Sequence, residues 1–406
     1  MNQETNPAMP VAVVLGMSAN GLSIVRSLGR KGVKVIGIDT DLSLPAMRSR
    51  YLCEKHLCPT PESEEFIDFL IKVAKKQSGK IILFATADDY LVPLSENREL
   101  LSQYYNYLMP PSQVVADLLD KEKTALFAEK NDILHPKTRV VASKSDLVDA
   151  VDYVGLPCFF KPISSHNWKK HSSSKGFKAS TLQECLDKFE QVSKLEPKIL
   201  VQQIIEGGDS NLYEYLAYCD HDGNILAEFT LKSVLMYPPE FGIPCLSESV
   251  SDARLVDLGR KTAKAAQCKG LVHFEYKLDP NTNRFVFIEA NLRTSFLGEL
   301  SVTSGVDLPW IAYADLAFGD VPDSLPVQKN GVKLVNLDWM IGRYMRTRNS
   351  PDTKLISIFK EAISLNNAHT HFSWTDPAPW AVVYGRFLVN IFKKIVGGAK
   401  FSAGNT

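Results

Sequence analysis

The stretch His273-Phe274-Glu275-Tyr276-Lys277-Leu278-Asp279-Pro280-Asn281-Thr282-Asn283-Arg284-Phe285-Val286-Phe287-Ile288-Glu289-Ala290-Asn291-Leu292-Arg293 decides how this chain is read. Two alternating segments flank the turn-rich Asp279-Pro280-Asn281-Thr282-Asn283, which predicts a β-hairpin. With Leu278 opposite Arg284, strict alternation puts Phe274, Tyr276, Leu278, Val286, Ile288 and Ala290 on one face, the core face. Glu275, Glu289 and Asn291 then share the other face, with Glu275 opposite Phe287 and diagonal to Glu289. Two carboxylates and an amide oxygen form a hard oxygen set suited to a magnesium ion that keeps waters and also binds substrate phosphates. Arg293, two residues beyond Asn291, is a fixed cation able to stabilise a phosphoryl group or a tetrahedral adduct.

Upstream, an apolar run at 11–15, a turn from Gly16 to Gly21, a helical pattern ending near Gly32 and a second run at 33–38 predict a right-handed βαβ unit of a parallel sheet. The turn has the form G-x-x-x-x-G, but Leu22 and Ser23 follow it, so the lysine of a phosphate-binding P-loop is missing. It is not G-x-G-x-x-G either, which gives no support for a bound dinucleotide. A further buried strand at 81–85 hands over to Asp88 and Asp89, where ligands sit in open α/β sheets and where an aspartate also caps helices. Met109-Pro110-Pro111 marks a boundary, because two prolines continue neither a helix nor a central strand.

The bulk properties restrict the function. The chain has 406 residues, enough for two or three lobes, with 46 basic and 46 acidic side chains. A net charge of zero gives no global field for nucleic acid or anionic membrane, so phosphate binding must be local. Its 7 cysteines contain no C-x-x-C pair, which disfavours a disulfide framework and a zinc site. The polar first ten residues lack the features of a signal peptide, and nothing reaches the roughly 20 apolar residues of a bilayer span, so the expected location is cytoplasmic.

The segments Phe274-Glu275-Tyr276 and Phe287-Ile288-Glu289-Ala290-Asn291-Leu292-Arg293 resemble the F-E-x and E-x-N-x-R strands of the ATP-grasp superfamily. That resemblance implies that Glu275, Glu289 and Asn291 hold magnesium, or manganese in its place, and that Arg293 is catalytic. Other parts follow in the family's order. Asp120-Lys121 resembles the D-K that opens the fold, with Lys121 on a phosphate, and Lys161 resembles the second lysine near the adenine edge and α-phosphate. The loop 172–176, with Ser173 and Ser174, is similar to the phosphate-covering loop, and Lys178 adds a charge. Val201-Gln202-Gln203-Ile204-Ile205 resembles the hinge that holds adenine through backbone groups, with Asp209 as the ribose acceptor; glutamate usually stands where Gln202 does. Lys232 is placed as a second catalytic cation, reaching the γ-phosphate or the substrate carboxylate.

The implied fold class is α/β, an N-terminal Rossmann-like pre-ATP-grasp domain (1–115) followed by a two-lobed α+β ATP-grasp fold (116–320, lobes 116–200 and 201–320) and a C-terminal extension (321–406). The resemblance is greatest to bacterial carboligases, implying an ATP- and magnesium-dependent carboxylate-amine ligase that acts through an acyl phosphate on an amino acid or small carboxylic acid. A catalytically silent nucleotide-binding regulator and an ATP-dependent carboxylase are the alternatives. Expected partners are a small-molecule carboxylate and an amine acceptor, with no nucleic acid; a homodimer is compatible with the reading. An amphipathic stripe over 380–396 (Trp380, Val383, Tyr384, Phe387, Leu388, Ile391, Ile395) reads as a helix docked on the protein body or as peripheral membrane contact. His369 and His371 are expected in an exposed loop rather than a metal site.

Overall fold

The computed structural model describes residues 9–163, 176–194, 197–347, 355–364 and 366–397. Among them, three sheets carry the architecture. The first contains β1 (Ala12–Leu15), β2 (Val35–Asp39), β3 (Leu52–Leu57), β4 (Ile81–Ala85) and β5 (Tyr105–Asn106), in the order β3-β2-β1-β4-β5 with every pair parallel. Strands β1 and β2 are buried along their whole length, which is why their sequences run apolar rather than alternate. This is the strand order of a doubly wound sheet, whose crevice lies at the carboxyl ends of the strands. Gly16 turns the chain there at φ +89°, and a Cβ on it would stand 2.5 Å from Thr86 Oγ1.

The second sheet joins β6 (Thr138–Val141), β7 (Cys158–Pro162), β8 (Phe177–Ala179) and β9 (Ile199–Gln203) in the antiparallel order β6-β9-β7-β8. Phe160 and Val201 point into a core with Val151 and Phe189 from the helices Lys144–Val154 and Leu182–Val192. Phe159, opposite both Gln202 and Lys178, lies on the other face, as by alternation does Lys161.

The third sheet contains β10 (Leu212–Cys219), β11 (Ile225–Tyr237), β12 (Ile243–Ser249), β13 (Gly270–Asp279), β14 (Arg284–Asn291), β15 (Lys333–Val335) and β16 (Ala368–His369), in the order β14-β13-β10-β11-β12-β15-β16. The predicted hairpin is β13–β14, but its register differs from strict alternation. Asp279, not Leu278, pairs with Arg284, and a bulge at Ile288 brings Glu275 directly opposite Glu289. The cause is a bond from outside the sequence window: the Phe287 N–H donates to the Leu134 carbonyl at 2.7 Å, which takes it out of the ladder. Phe285 and Phe287 consequently share the core face of Phe274, Tyr276 and Ala290 that Val286 and Ile288 were expected to take; Val286 is buried on the other face and Ile288 is half-buried. Asn283, at φ +53°, closes the turn, its N–H donating to the Asp279 carbonyl at 2.8 Å.

The C-terminal segment returns to the first sheet. Arg26, fully buried on the helix Ala19–Arg30, meets Asp376 Oδ2 at 3.1 Å through Nε and donates through Nη2 to the carbonyls of His371 (2.6 Å) and Asp376 (3.0 Å). Asp376 also accepts from Ser49 Oγ (2.8 Å) and Arg50 N (2.9 Å), so the carboxylate is satisfied although no water reaches it. His369 lies in β16 and His371 is half-buried, so neither is in an exposed loop. The helix expected over 380–396 spans Ala378–Gly397 and packs on the turn Pro45–Arg48; its Val383 is buried, and Arg386 donates to the Ser43 carbonyl at 2.7 Å. Leu388 and Trp380 depart from the expected buried stripe, at 63% and 37% exposed, and the side chains of Ile391 and Ile395 lie outside the described residues. Among the described residues no helix is long and apolar enough to cross a membrane.

Candidate active site

A cavity of about 1000 Å³ lies among the second sheet, the hairpin and the end of β4, its wall including Asp88, Lys121, Lys161, Gln202, Glu289 and Asn291. Lys121 is the first residue of the helix Lys121–Lys130, and Asp120 caps that helix by accepting from Glu122 N at 2.8 Å and Lys123 N at 3.1 Å. The Asp-Lys pair is thus a cap that fixes where the lysine starts. Lys161 and Gln202 reach the cavity from adjacent strands of the second sheet, and Gln202 Nε2 donates to Thr138 Oγ1 at 3.0 Å. Lys178 shares that sheet face but is exposed and outside the cavity lining. Gln203 and the half-buried Ile205 are also outside the lining; Gln203 Oε1 accepts from Lys137 N at 3.2 Å. Phe241, between β11 and β12, reaches across to stack on Phe159 at 4.4 Å. Ser173 and Ser174 lie outside the described residues.

On the hairpin, Glu275 faces Glu289 across the strands, and Asn291 follows on the same face. No group of three or more His, Cys, Asp or Glu among the described residues is arranged to hold a metal ion by itself. Two opposed carboxylates and an amide oxygen instead fit a magnesium ion that takes its other ligands from water and phosphate. Arg293 is fixed at the same end. Its Nε and Nη2 meet Asp88 Oδ1 and Oδ2 at 2.7 and 3.1 Å, Nη2 also donates to Asn291 Oδ1 at 3.0 Å, and Nη1 donates to the Thr294 carbonyl at 3.1 Å. Burial works to lower its pKa, but Asp88, Glu289 and Glu275 outweigh that and raise it, so the guanidinium stays charged.

Two expected site residues are engaged elsewhere. Asp209 Oδ2 accepts from Met236 N (3.0 Å) and Arg343 Nη1 (2.6 Å), and its Oδ1 accepts from Glu240 N (3.0 Å). With both oxygens occupied, it clamps the helix Leu337–Thr347 to the end of β11 and is not a free ribose acceptor. Lys232 pairs with Tyr213, while its neighbour Leu231 pairs with Glu214, which in turn faces Glu275. Alternation therefore turns Lys232 to the opposite face, where its Nζ is 3.8 Å from Glu248.

The sequence reading passed over Glu214 and His273, both buried on the face of the two acids, with Glu214 Oε2 2.6 Å from His273 Nε2. Burial lowers the His273 pKa, yet Glu214 and Glu275 more than offset it, giving a net rise. Lys277, two residues beyond Glu275, is also on this face; burial lowers its pKa against the opposing charges of Glu240, Asp209 and Glu206. The available signal for His273 was its place two residues before Glu275, which alternation puts on the same face; nothing local to 273–277 points to Glu214.

No family model matches the chain. It is similar to a D-aspartate ligase of Enterococcus faecium, 22% identical over 325 residues that cover 76% of this chain and 77% of that protein. It is also similar to D-alanine–D-alanine ligase B of Pseudomonas putida, 25% identical over 184 residues, 43% of this chain and only 54% of that enzyme. Among solved structures, the biotin carboxylase domain of the Hydrogenobacter thermophilus 2-oxoglutarate carboxylase, in complex with MgADP, ADP and bicarbonate, superposes with a TM-score of 0.62 at 13% identity, covering 80% of this chain and 73% of that one. At that identity the likeness shows the fold.

Proposed function

We propose that this chain, which has the ATP-grasp fold, is an ATP-dependent carboxylate-amine ligase that works through an acyl phosphate. The observation that carries the reading is the hairpin register, which sets Glu275 opposite Glu289, with Asn291 and Arg293 at the same end, beside a cavity lined by Glu289, Asn291, Lys121 and Lys161. Glu275, Glu289 and Asn291 would hold magnesium, or manganese in its place, which when bound would supply charge neutralisation at the terminal phosphates of ATP. Lys121 and Lys161, which line the cavity, offset the remaining phosphate charge. A carboxylate oxygen of the acid substrate attacks the γ-phosphorus in line, the bond to the bridging oxygen breaks, and ADP leaves. The amine nitrogen then adds to the acyl carbon, Arg293 stabilises the oxyanion, and inorganic phosphate departs as the carbon–nitrogen bond forms.

Likeness to D-aspartate and D-alanine–D-alanine ligases supports an amino acid as one substrate. The reaction belongs to the cytoplasm, where ATP is supplied, and the chain divides into working units at about residues 115, 200 and 320. A homodimer forms part of the proposal. So does peripheral membrane contact through the exposed Leu388 and Val389, which sedimentation with anionic liposomes tests.

Phosphate release from ATP, measured across pools of amino acids and small carboxylic acids, tests the central claim. Release that needs a carboxylate and an amine together is expected. Release with bicarbonate as the sole acid would identify a carboxylase, and nucleotide binding without turnover in any pool would identify a regulator.

A further inference from the structure

Beside the two acids, four side chains form a run whose donors and acceptors follow by elimination. Arg293 can only donate, so the Asn291 atom 3.0 Å from its Nη2 is the amide oxygen. The Asn291 Nδ2 is thereby directed at His273 Nδ1, 3.3 Å away, and donates to it. With Nδ1 accepting, the ring proton resides on Nε2, facing Glu214 Oε2 at 2.6 Å, where a bare nitrogen lone pair would repel the carboxylate. That contact is close but bent out of hydrogen-bond alignment. Register assembles the run, since His273 lies opposite Asn291 on β14 and opposite Leu216 on β10, two residues along from Glu214 and so diagonal to it on the same face. Glu214, His273 and Asn291 are 2%, 4% and 5% exposed, so water cannot substitute for any member.

We propose that Glu214 and His273 are positioning residues that lock the Asn291 amide with its oxygen toward Arg293 and the divalent cation. This inference rests on the metal–nucleotide reading of the site. An unlocked amide could turn its Nδ2 toward the cation, replacing a ligand with a hydrogen-bond donor. Glu214 fixes which ring nitrogen carries the proton, and the ring fixes which end of the amide faces the site, as an outer layer of groups does around metal ligands elsewhere.

Two measurements test it. In the wild-type protein, labelled on histidine with ¹⁵N and followed upward in pH until the ring is neutral, the long-range ¹⁵N–¹H correlations of His273, assigned by their disappearance in His273→Asn, should show the neutral ring protonated at Nε2. A neutral ring with its proton on Nδ1 would overturn the proposal. Binding of Mn²⁺ with ADP, followed by electron paramagnetic resonance, should weaken about 10- to 100-fold in His273→Leu and in Glu214→Leu, the range for loss of an outer-layer partner. His273→Asn, whose amide oxygen can accept in place of Nδ1, should retain most of the affinity. Unchanged Mn²⁺ affinity in folded His273→Leu would overturn the proposal; should the leucine variants fail to fold, the ring tautomer decides. If the wild type itself takes up no Mn²⁺–ADP, the nucleotide reading fails, and the tautomer still tests the lock separately.

Discussion

Replacing Asp88 with alanine separates holding an arginine in place from merely having one. The Asp88 carboxylate grips Arg293 at 2.7 and 3.1 Å, whereas the contacts to Thr294 O and Asn291 Oδ1 come from the arginine's own strand end and would survive the change. Hydrogen bonds to charged groups contribute about 1.5–3 kcal/mol. The Asp88 side chain is 42% exposed, and solvent screening puts this pair at the lower end, about 1.5 kcal/mol. If that energy holds the guanidinium against the developing oxyanion, its loss is worth about tenfold in turnover, since about 1.4 kcal/mol corresponds to one factor of ten. Arg293→Ala, which removes the cation altogether, should lower turnover by about 10²–10³. The double variant should be no slower than Arg293→Ala alone, because Asp88 acts only through the arginine. Steady-state phosphate release at saturating ATP reads all three, with the KM for ATP little changed in Asp88→Ala. Losses that multiply in the double variant, or an Asp88→Ala enzyme at full speed, would refute the reasoning.

Neutralising both hairpin acids, Glu275→Gln with Glu289→Gln, should abolish magnesium-dependent nucleotide uptake in calorimetry; undiminished uptake would remove them from the metal site. Asp376→Ala strands the buried Arg26 charge and should destabilise the fold by about 3–5 kcal/mol in urea titration, while Arg26→Met combined with Asp376→Leu should recover most of the loss. Burial, with the Arg26 charge beside it, pushes the His371 pKa down to about 4, below its value of about 6.5 in the unfolded chain. Its contribution, up to about 3 kcal/mol, is complete above the unfolded value and is lost as pH falls toward 4, so His371→Gln should flatten the acid limb of a Tm-against-pH curve. Asp338 has the opposite sign: burial raises its pKa to about 6, stability is favoured below the unfolded value near 4 and declines as pH rises through 6, and Asp338→Asn should raise Tm at about pH 7.5 but not at pH 4.

What could be read in advance was whatever alternation and turn chemistry fix over a dozen residues. The hairpin and the strand carrying Lys161 are of that kind, whereas Asp120-Lys121 was legible only through the family resemblance, and its capping role through the structure. The errors share one cause, a partner distant in the chain. Leu134 claims the Phe287 amide and shifts the register by one position, a contact 153 residues away that no local pattern encodes. Arg343 occupies Asp209 from the C-terminal extension, and the path of β10 decides which face Lys232 takes. Glu214 and His273 were overlooked because a buried charged pair shows its purpose only when the two strands are side by side.

The Arg26–Asp376 clasp bears on how the chain is made. The two residues are 350 positions apart, so during synthesis the helix that bears Arg26 leaves the ribosome long before its carboxylate partner has been translated. The nascent N-terminal sheet must wait with a solvated cation at a position that the finished protein makes dry. Chains truncated before residue 376 should therefore retain that sheet in an open, protease-sensitive form, and supplying the missing segment as a separate polypeptide should restore resistance.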